Sequence, residues 1–126
     1  MFKFENNSFR LEEDKEGIVH STLLKNFGIT ENEIEEYLSV CEQLSSSSKK
    51  VLIDFREVNY LTPGALKKFS SQRVINATKA AAVLVSLRSP IVLMITSFLL
   101  TFSKEPYPVK LFTNEKEAIE WLKSID

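Results

Sequence analysis

Two short apolar runs constrain the fold of this chain more than any other feature. Residues 51–53 and 80–85 contain no polar side chain, so both faces of each segment are predicted to be buried. Strands of this kind lie at the centre of a parallel sheet that is covered by helices. A helix-start signal follows each run, at Thr62-Pro63 and at Ser89-Pro90. The pattern therefore predicts an α/β fold in which helices connect parallel strands.

The beginning of the chain predicts an antiparallel hairpin. Polar and apolar residues alternate over 8–12, and a second apolar segment covers 18–23. The polar segment 13–17, which ends in glycine, is typical of the turn between two such strands. Phe2 and Phe4 are candidates to extend the hairpin.

The remaining elements are predicted from caps and spacing. Thr30 and Glu33 form a capping box that starts a helix over about 31–46. The helix that starts at Thr62 is expected to be interrupted at 70–71. The elements that follow are a strand at 80–85, a helix from 89 to about 102, a strand at 109–112 and a helix after the Thr113-Asn114 cap.

The order of these elements is β-β-α-β-α-β-α-β-α. It predicts a sheet of about five strands that is mostly parallel, with the antiparallel hairpin at its N-terminal edge. A length of 126 residues fits one domain, so residues 1–126 are predicted to form a single unit.

Charge is distributed unevenly along the chain. The net charge is −1, but residues 1–48 hold 10 acids and 4 bases, whereas residues 49–126 hold 7 acids and 12 bases. The near-neutral total disfavours a nucleic-acid binder held by bulk positive charge. The basic part of the chain is a candidate for contact with an acidic partner.

Several classes of function are excluded by what the sequence lacks. One Cys and one His exclude an internal disulfide, a multi-Cys zinc site and a His pair. We interpret His20 and Cys41 as structural, and no Gly-rich phosphate loop is present. We therefore predict no catalytic residue, no metal, no cofactor and no enzyme activity.

The sequence also predicts a cytoplasmic location. The first residues lack the apolar stretch of a signal peptide. The longest uncharged run covers 15 residues, 89–103, and contains Pro90. A membrane-spanning helix needs about 20 apolar residues, so no membrane span is expected.

Residues 51–66 resemble the STAS family, which is named for sulphate transporters and anti-sigma-factor antagonists. The family pattern is an apolar strand that ends in Asp, then a Val, an aromatic-aliphatic pair and a short helix start. The matching residues here are Asp54, Val58, Tyr60-Leu61 and Leu66. The order of strands and helices is similar over almost the whole chain, and residues 111–122 resemble small bacterial STAS-like proteins of unassigned function.

The resemblance breaks down at the helix start. In regulatory members of the family, a Ser at this place accepts phosphate from an anti-sigma kinase. A gap-free match places Gly64 at that Ser, Pro63 at the preceding Ser and Thr62 at the Asp. The resemblance therefore implies that this switch is lost, and the hydroxyls left as candidate phosphorylation sites belong to Thr62, Ser70 and Ser71.

One edge of the predicted sheet is a candidate binding site. Ligands of open parallel sheets collect at the carboxyl ends of the strands, and helix N-termini attract anions. We expect this edge to bind a phosphate, a carboxylate or an acidic protein surface. The residues concerned are Arg56, Thr62, Gly64, Ser86, Arg88 and Ser89. The alternative is that the hydroxyls are ordinary helix caps and the arginines are solvated.

The third predicted helix suggests an interface. Val92, Ile95, Leu99 and Phe102 form a core stripe at helical spacing, and Leu93 and Leu100 fall on the opposite side. Exposed apolar side chains often mark an interface, so these two leucines are predicted to face a second subunit or a protein partner. Scattered exposed leucines are the alternative.

The sequence thus favours a non-enzymatic STAS-like regulatory or protein-interaction domain, with a homodimer as the simplest assembly. The competing hypothesis is a small-molecule or lipid-binding module, because STAS-like folds are similar to the lipid-binding CRAL-TRIO folds. In that case the apolar third helix would line a pocket.

Overall fold

A computed structural model of the chain describes residues 3–24, 28–43, 48–101 and 107–125. Within these ranges six strands form one sheet, and the strands are ordered across it as they are along the chain. The strands are β1 (Lys3–Glu5), β2 (Phe9–Glu13), β3 (Ile18–Leu23), β4 (Lys49–Asp54), β5 (Thr78–Leu84) and β6 (Val109–Phe112). The helices are α1 (Glu31–Cys41), α2 (Pro63–Lys68), α3 (Gln72–Ala77), α4 (Ile91–Thr101) and α5 (Glu115–Lys123).

The predicted sheet type is confirmed, but the predicted number of strands is wrong. Strands β1, β2 and β3 pair antiparallel, and β3 to β6 pair parallel. The sixth strand is β1, whose three residues place Phe4 opposite Leu11. The Asn6 carboxamide reverses the chain before β2 by accepting hydrogen bonds from the Ser8 and Phe9 amides at 2.8 and 2.9 Å. Three residues are too few to show the alternation that identifies a strand.

The two central strands are buried on both faces, as their apolar sequences predict. Ile53 and Val83 lie in a core cluster on one face, which α1, α2, α3 and α4 cover. Leu52 and Leu84 point to the other face, where Leu122 of α5 packs against them. The four helices of the three crossovers therefore cover one face, and α5 covers the other over the central strands.

Most of the predicted helix starts are observed. The Glu33 carboxylate accepts the Thr30 amide at 3.1 Å, and the Thr62 hydroxyl accepts the Ala65 amide at 3.1 Å. The predicted interruption after the second helix is present, because Ser71 begins α3 as a separate helix. The Asn114 carboxamide accepts the Glu117 amide at 3.0 Å and begins α5.

The ends of two helices differ from the prediction or lie outside the described residues. Helix α1 ends at Cys41, and the Gln43 amide then donates to Val40 in a tighter turn. The predicted extension of α1 to 46 includes residues 44–46, which lie outside the described part. Phe102, the predicted end of α4, lies outside it as well. In the parts of the chain that the structure describes, no helix combines the length and the apolar content needed to cross a membrane.

The acidic and basic parts of the chain neutralise each other in the fold. The Arg73 guanidinium of α3 lies 2.6 Å from a carboxylate oxygen of Glu35 on α1 and 2.6 Å from one of Glu42, the residue that follows α1. Lys68 of α2 lies 3.1 Å from the other oxygen of Glu35. We call these four residues the ionic latch. Hydrogen bonds from Arg73 are the largest cause that lowers the pKa of Glu35 and of Glu42.

The ionic latch predicts a pH-dependent contribution to stability. A carboxyl whose pKa is lowered by folding stabilises the protein above its ordinary pKa, here 4.5, and loses that contribution as the pH falls through the lowered value. Arg73→Gln is expected to lower the thermal midpoint by about 2–5 °C at pH 7. The gap to the wild type should close as the pH falls below 4.5 and through the lowered pKa values of the two carboxyls.

Thermal unfolding at each pH measures this gap. Lys79→Gln is the matched control, because Lys79 is exposed and the substitution removes the same charge. A midpoint that falls equally in both variants, or a gap that does not depend on pH, would show that the latch adds nothing beyond net charge.

Candidate functional site

Three loops are joined at the carboxyl edge of the parallel strands. The Ile29 amide donates to the Tyr60 carbonyl at 2.9 Å, and the Thr62 amide donates to the Ile29 carbonyl at 3.0 Å. The Ser89 hydroxyl donates to the Val58 carbonyl at 3.2 Å. These bonds connect the loops after β3, β4 and β5, so the edge has a fixed shape.

Asp54, the last residue of β4, fixes the beginning of the loop that follows this strand. It is 8% exposed, and its carboxylate accepts the Arg56 amide at 2.9 Å and the Arg56 guanidinium at 2.8 Å. Glu115 of α5 lies 3.6 Å from the same guanidinium. The hydrogen bonds to Asp54 are the largest cause that raises the pKa of Arg56. Arg56, one of the predicted anion-binding residues, is thus paired with carboxylates of its own chain.

Thr62 and Gly64 lie at the start of α2. The Thr62 hydroxyl caps the helix, as the alternative interpretation predicts. A Cβ atom built on Gly64 would fall inside the space occupied by the carboxylate of Glu31. The exposed Glu31 side chain therefore covers the backbone at the position where the family resemblance places a phosphoacceptor.

The other predicted edge residues lie in the loop between β5 and α4. The Ser89 amide donates to the Ser86 carbonyl at 3.0 Å, and the Ser89 hydroxyl accepts the Ile91 amide at 3.3 Å. Arg88 is exposed. All six predicted residues lie at one edge of the sheet. Arg56, Thr62 and Ser89, however, are hydrogen-bonded to other groups of the same chain.

Four large apolar side chains are exposed in the described residues. Leu93 and Leu100 of α4 are 75% and 74% exposed, as their spacing predicts. Leu87 is 77% exposed and Tyr60 is 46% exposed. Leu93 and Leu100 are called the leucine face below, and Tyr60, Leu87 and Arg88 are called the edge surface. Sequence reasoning missed the exposure of Leu87, although an apolar residue inside the polar run 86–89 was the available signal.

The side chains that could carry chemistry are engaged by their neighbours. His20 Nε2 lies 2.9 Å from Asp14 Oδ2 near the β2–β3 turn. Burial, aided by the charge of Glu42, raises the pKa of the Cys41 thiol to about 11, so the thiol is protonated at neutral pH and a weak nucleophile. Among the described residues, no three or more His, Cys, Asp or Glu side chains cluster as metal ligands would.

The three candidate phosphorylation sites differ in access. The Ser71 hydroxyl is buried, and the Thr62 hydroxyl is occupied as a cap. The Ser70 hydroxyl donates to the Lys67 carbonyl at 2.8 Å in an exposed position. Ser70 is therefore the most accessible of the three.

Two neighbouring cavities, which sequence reasoning did not locate, lie on the helix-covered face of the sheet. The first has a volume of about 410 Å³ and lies between α1, α3 and strands β3 to β5. The second has a volume of about 230 Å³ and extends under α4. The first cavity lies away from the carboxyl edge, because Lys49 and Thr78 at the starts of their strands line it.

The architecture is similar to that of solved structures. A protein of the DUF3478 family from Shewanella loihica PV-4, with a SpoIIAA-like fold, matches with 17% identity and a TM-score of 0.65, covering 91% of this chain and 92% of that chain. The anti-sigma factor antagonist SpoIIAA in its unphosphorylated form matches with 14% identity and a TM-score of 0.57, covering 94% and 100%. The phosphorylated form of the Bacillus cell fate determinant SpoIIAA matches with 15% identity and a TM-score of 0.53, covering 91% and 99%.

These similarities show a shared fold, and the predicted STAS-like fold is confirmed. A comparison with curated proteins found no match. The model of the DUF7793 family, a domain of unknown function, matches residues 11–126. Because this match covers nearly the whole chain, the protein is a member of the DUF7793 family.

Proposed function

We propose that this protein is a non-enzymatic regulatory domain that acts by binding other protein chains. The observation that carries this proposal is the position of its exposed apolar side chains. Tyr60, Leu87, Leu93 and Leu100 all belong to the carboxyl edge or to the adjoining helix α4. Apolar side chains concentrated on one part of a small domain favour a contact surface.

The chemistry of the described side chains supports a binding role. His20 is held by Asp14, and the Cys41 thiol is protonated at neutral pH. The fold adds support, because two of the similar structures are of SpoIIAA, which is described as an anti-sigma factor antagonist. An antagonist of this kind works through protein contacts.

The leucine face fits a second copy of the same chain. Helix α4 contains no charged residue from Ile91 to Thr101, so two copies can pack against each other without repulsion between like charges. A twofold axis through an antiparallel pair of α4 helices would place Leu93 against Leu100 of the partner subunit. Small polar residues, Thr96 and Ser97, separate the two leucines and would let the helices approach closely.

Charges on the leucine face should separate such a dimer. Leu93→Lys combined with Leu100→Lys is expected to convert a particle of about twice the 14.4 kDa chain mass into a monomer, because buried ammonium groups lose their hydration. Light scattering coupled to gel filtration measures the mass. Asn7→Lys with Thr113→Lys adds the same charges at exposed positions and should leave the dimer intact. A wild-type monomer, or equal masses for all three proteins, would contradict the proposal.

The edge surface fits a different protein partner. Tyr60 and Leu87 offer apolar contact area, and aromatic and arginine side chains are enriched at the energetic centres of interfaces. Arg88 is exposed, and no acidic side chain of the described residues lies within ion-pair distance of it. We propose that the partner presents an apolar patch beside an acidic group.

A photo-crosslinking amino acid at Leu87 tests the edge surface in living cells of the source organism. It should capture a discrete heterologous protein, and Arg88→Glu in the same chain should reduce the yield at least fivefold by reversing the charge that faces the acidic group. The same crosslinker at exposed Thr113 is the control. Equal capture at both positions, or a yield that Arg88→Glu does not change, would contradict the proposal.

We further propose that this domain is not switched by phosphate at the start of α2 or at the start of α3. Gly64 has no hydroxyl, the Glu31 carboxylate covers it, and the Ser71 hydroxyl is buried.

Mass spectrometry of the protein purified from its own organism should therefore find no phosphate on Thr62 or Ser71. Ser70, whose hydroxyl is in an exposed position, is the internal control for a site that a kinase can reach. Stoichiometric phosphate on Thr62 or Ser71 would overturn this proposal.

A second candidate function is the binding of a small molecule. The observation that favours it is the pair of cavities on the helix-covered face. Ile95, Phe98 and Leu99 of α4 line the second cavity, and a pocket bordered by this apolar helix is what the small-molecule hypothesis requires. The chemistry of the first cavity is specific enough to define a ligand class.

A further inference from the structure

The first cavity is a cleft with apolar walls and a polar mouth. Its 410 Å³ fall in the range of roughly 300–1,000 Å³ that is typical of ligand sites. Protein interiors contain few voids larger than a water molecule, so an apolar space of this size within a 126-residue chain needs an explanation. The inner wall includes Val19, Leu38, Val51, Ile53, Val74 and Ala81.

The space exists because strand β5 carries alanines where larger residues are usual. Ala80 and Ala82 point to the opposite face and pack against Ala118 and Leu122 of α5. Ala81 points to the helix-covered face and borders both cavities. Alanine is a poor strand former, and a larger residue at position 81 would fill the cleft. One small side chain thus keeps the two cavities open at their junction.

The charged groups at the mouth of the cleft are already paired. Arg73 and Glu42 belong to the ionic latch, with 2.6 Å between guanidinium and carboxylate. Lys49 lies 2.8 Å from a carboxylate oxygen of Glu13. A charged ligand would have to break one of these pairs or remain unpaired in an apolar cleft, and both cost free energy.

The polar groups deeper in the cleft are uncharged. The buried Tyr37 hydroxyl donates to the Ser21 hydroxyl at 2.8 Å, and burial raises the pKa of Tyr37 well above its usual value. The Cys41 thiol is protonated at neutral pH, since its pKa is about 11. These groups offer hydrogen bonds but no charge. The Gln72 and Asn76 carboxamides, hydrogen-bonded to each other at 2.8 Å, line the mouth.

We infer that the cleft between α1, α3 and the sheet binds a neutral, mainly apolar small molecule. An enclosed cavity of about 150 Å³ holds one benzene ring, so 410 Å³ accommodates roughly two to three rings or a chain of similar volume. A single uncharged polar group on the ligand would meet the carboxamides at the mouth. The inference deepens the second candidate function and does not depend on the leucine face or the edge surface.

A matched pair of fluorescent probes tests both the site and its preference for a neutral ligand. N-phenyl-1-naphthylamine is neutral, and 8-anilinonaphthalene-1-sulfonate has the same ring system with an added sulfonate. The neutral probe should bind saturably at one site per chain and at least tenfold more tightly than the anionic probe. Competition should be effective with 1-decanol and weak with decanoate. Absence of saturable binding of the neutral probe, or equal affinity for both probes, would overturn the inference.

Substitutions of neighbouring alanines locate the probe. Ala81→Leu should weaken binding of the neutral probe at least tenfold by filling the cleft, and the fold should be retained because the added side chain enters empty space. Ala82→Leu should lower the thermal midpoint by several degrees, since the new leucine side chain is forced into the packed layer under α5. Lys79→Leu adds an apolar side chain at an exposed position of the same strand and should leave binding unchanged.

Two further variants separate this inference from the proposed protein contacts. Ala77→Leu fills the same cleft from α3, so it repeats the test if Ala81→Leu is poorly folded. The Leu93→Lys, Leu100→Lys variant should bind the neutral probe as the wild type does, whatever its oligomeric state. Loss of probe binding in that variant, with binding retained in Ala81→Leu and Ala77→Leu, would place the probe on the leucine face and overturn the cleft assignment.

Discussion

The hydrogen-bond ladder between strands β4 and β5 is the constraint on which the other layers depend. The two strands pair in parallel from Lys49 to Asp54. Water can reach the hydrogen bonds between them wherever a face of the sheet is left uncovered. Four helices cover one face and α5 closes the other over Leu52 and Leu84. Each crossover leaves the sheet at the carboxyl ends of the strands, so the connecting loops meet there and form the candidate binding edge.

Ion pairs within the chain use much of the positive charge that the sequence offers for binding a partner. The basic middle of the chain suggests a positive surface, yet Lys68 and Arg73 pair with α1 and Arg56 pairs with Asp54. The charge asymmetry along the chain thus serves mainly to orient α1 on α2 and α3. On the edge surface, what remains available for a partner is apolar area beside the exposed Arg88. A contact of this kind gains its affinity from the desolvation of apolar surface. It gains its orientation from the charge of the arginine.

Local signals predicted most of the fold, whereas long-range contacts decided the candidate sites. Caps at Thr30 and Thr62 depend on residues within four positions and are visible in the sequence. The sequence offered Phe4 only as a candidate to extend the hairpin, because the evidence for a separate strand β1 is its pairing with β2. The cleft was missed because the face on which Ala81 lies depends on the register of β5 between β4 and β6. In the same way, the role of Gly64 depends on Glu31, which is 33 residues earlier and adjacent only in the folded chain.

The position of α5 has a consequence for how the fold is acquired during synthesis. Strands β3, β4 and β5 can pair as soon as β5 has left the ribosome, and α1, α2 and α3, which precede β5, can cover one face at the same time. The layer of Leu52, Ala82 and Leu84 stays in contact with water until Ala118 and Leu122 have been translated. A nascent chain that stops before α5 therefore presents a flat apolar strip, which is a surface that chaperones bind and that aggregates at high concentration. The last helix converts this strip into the second core.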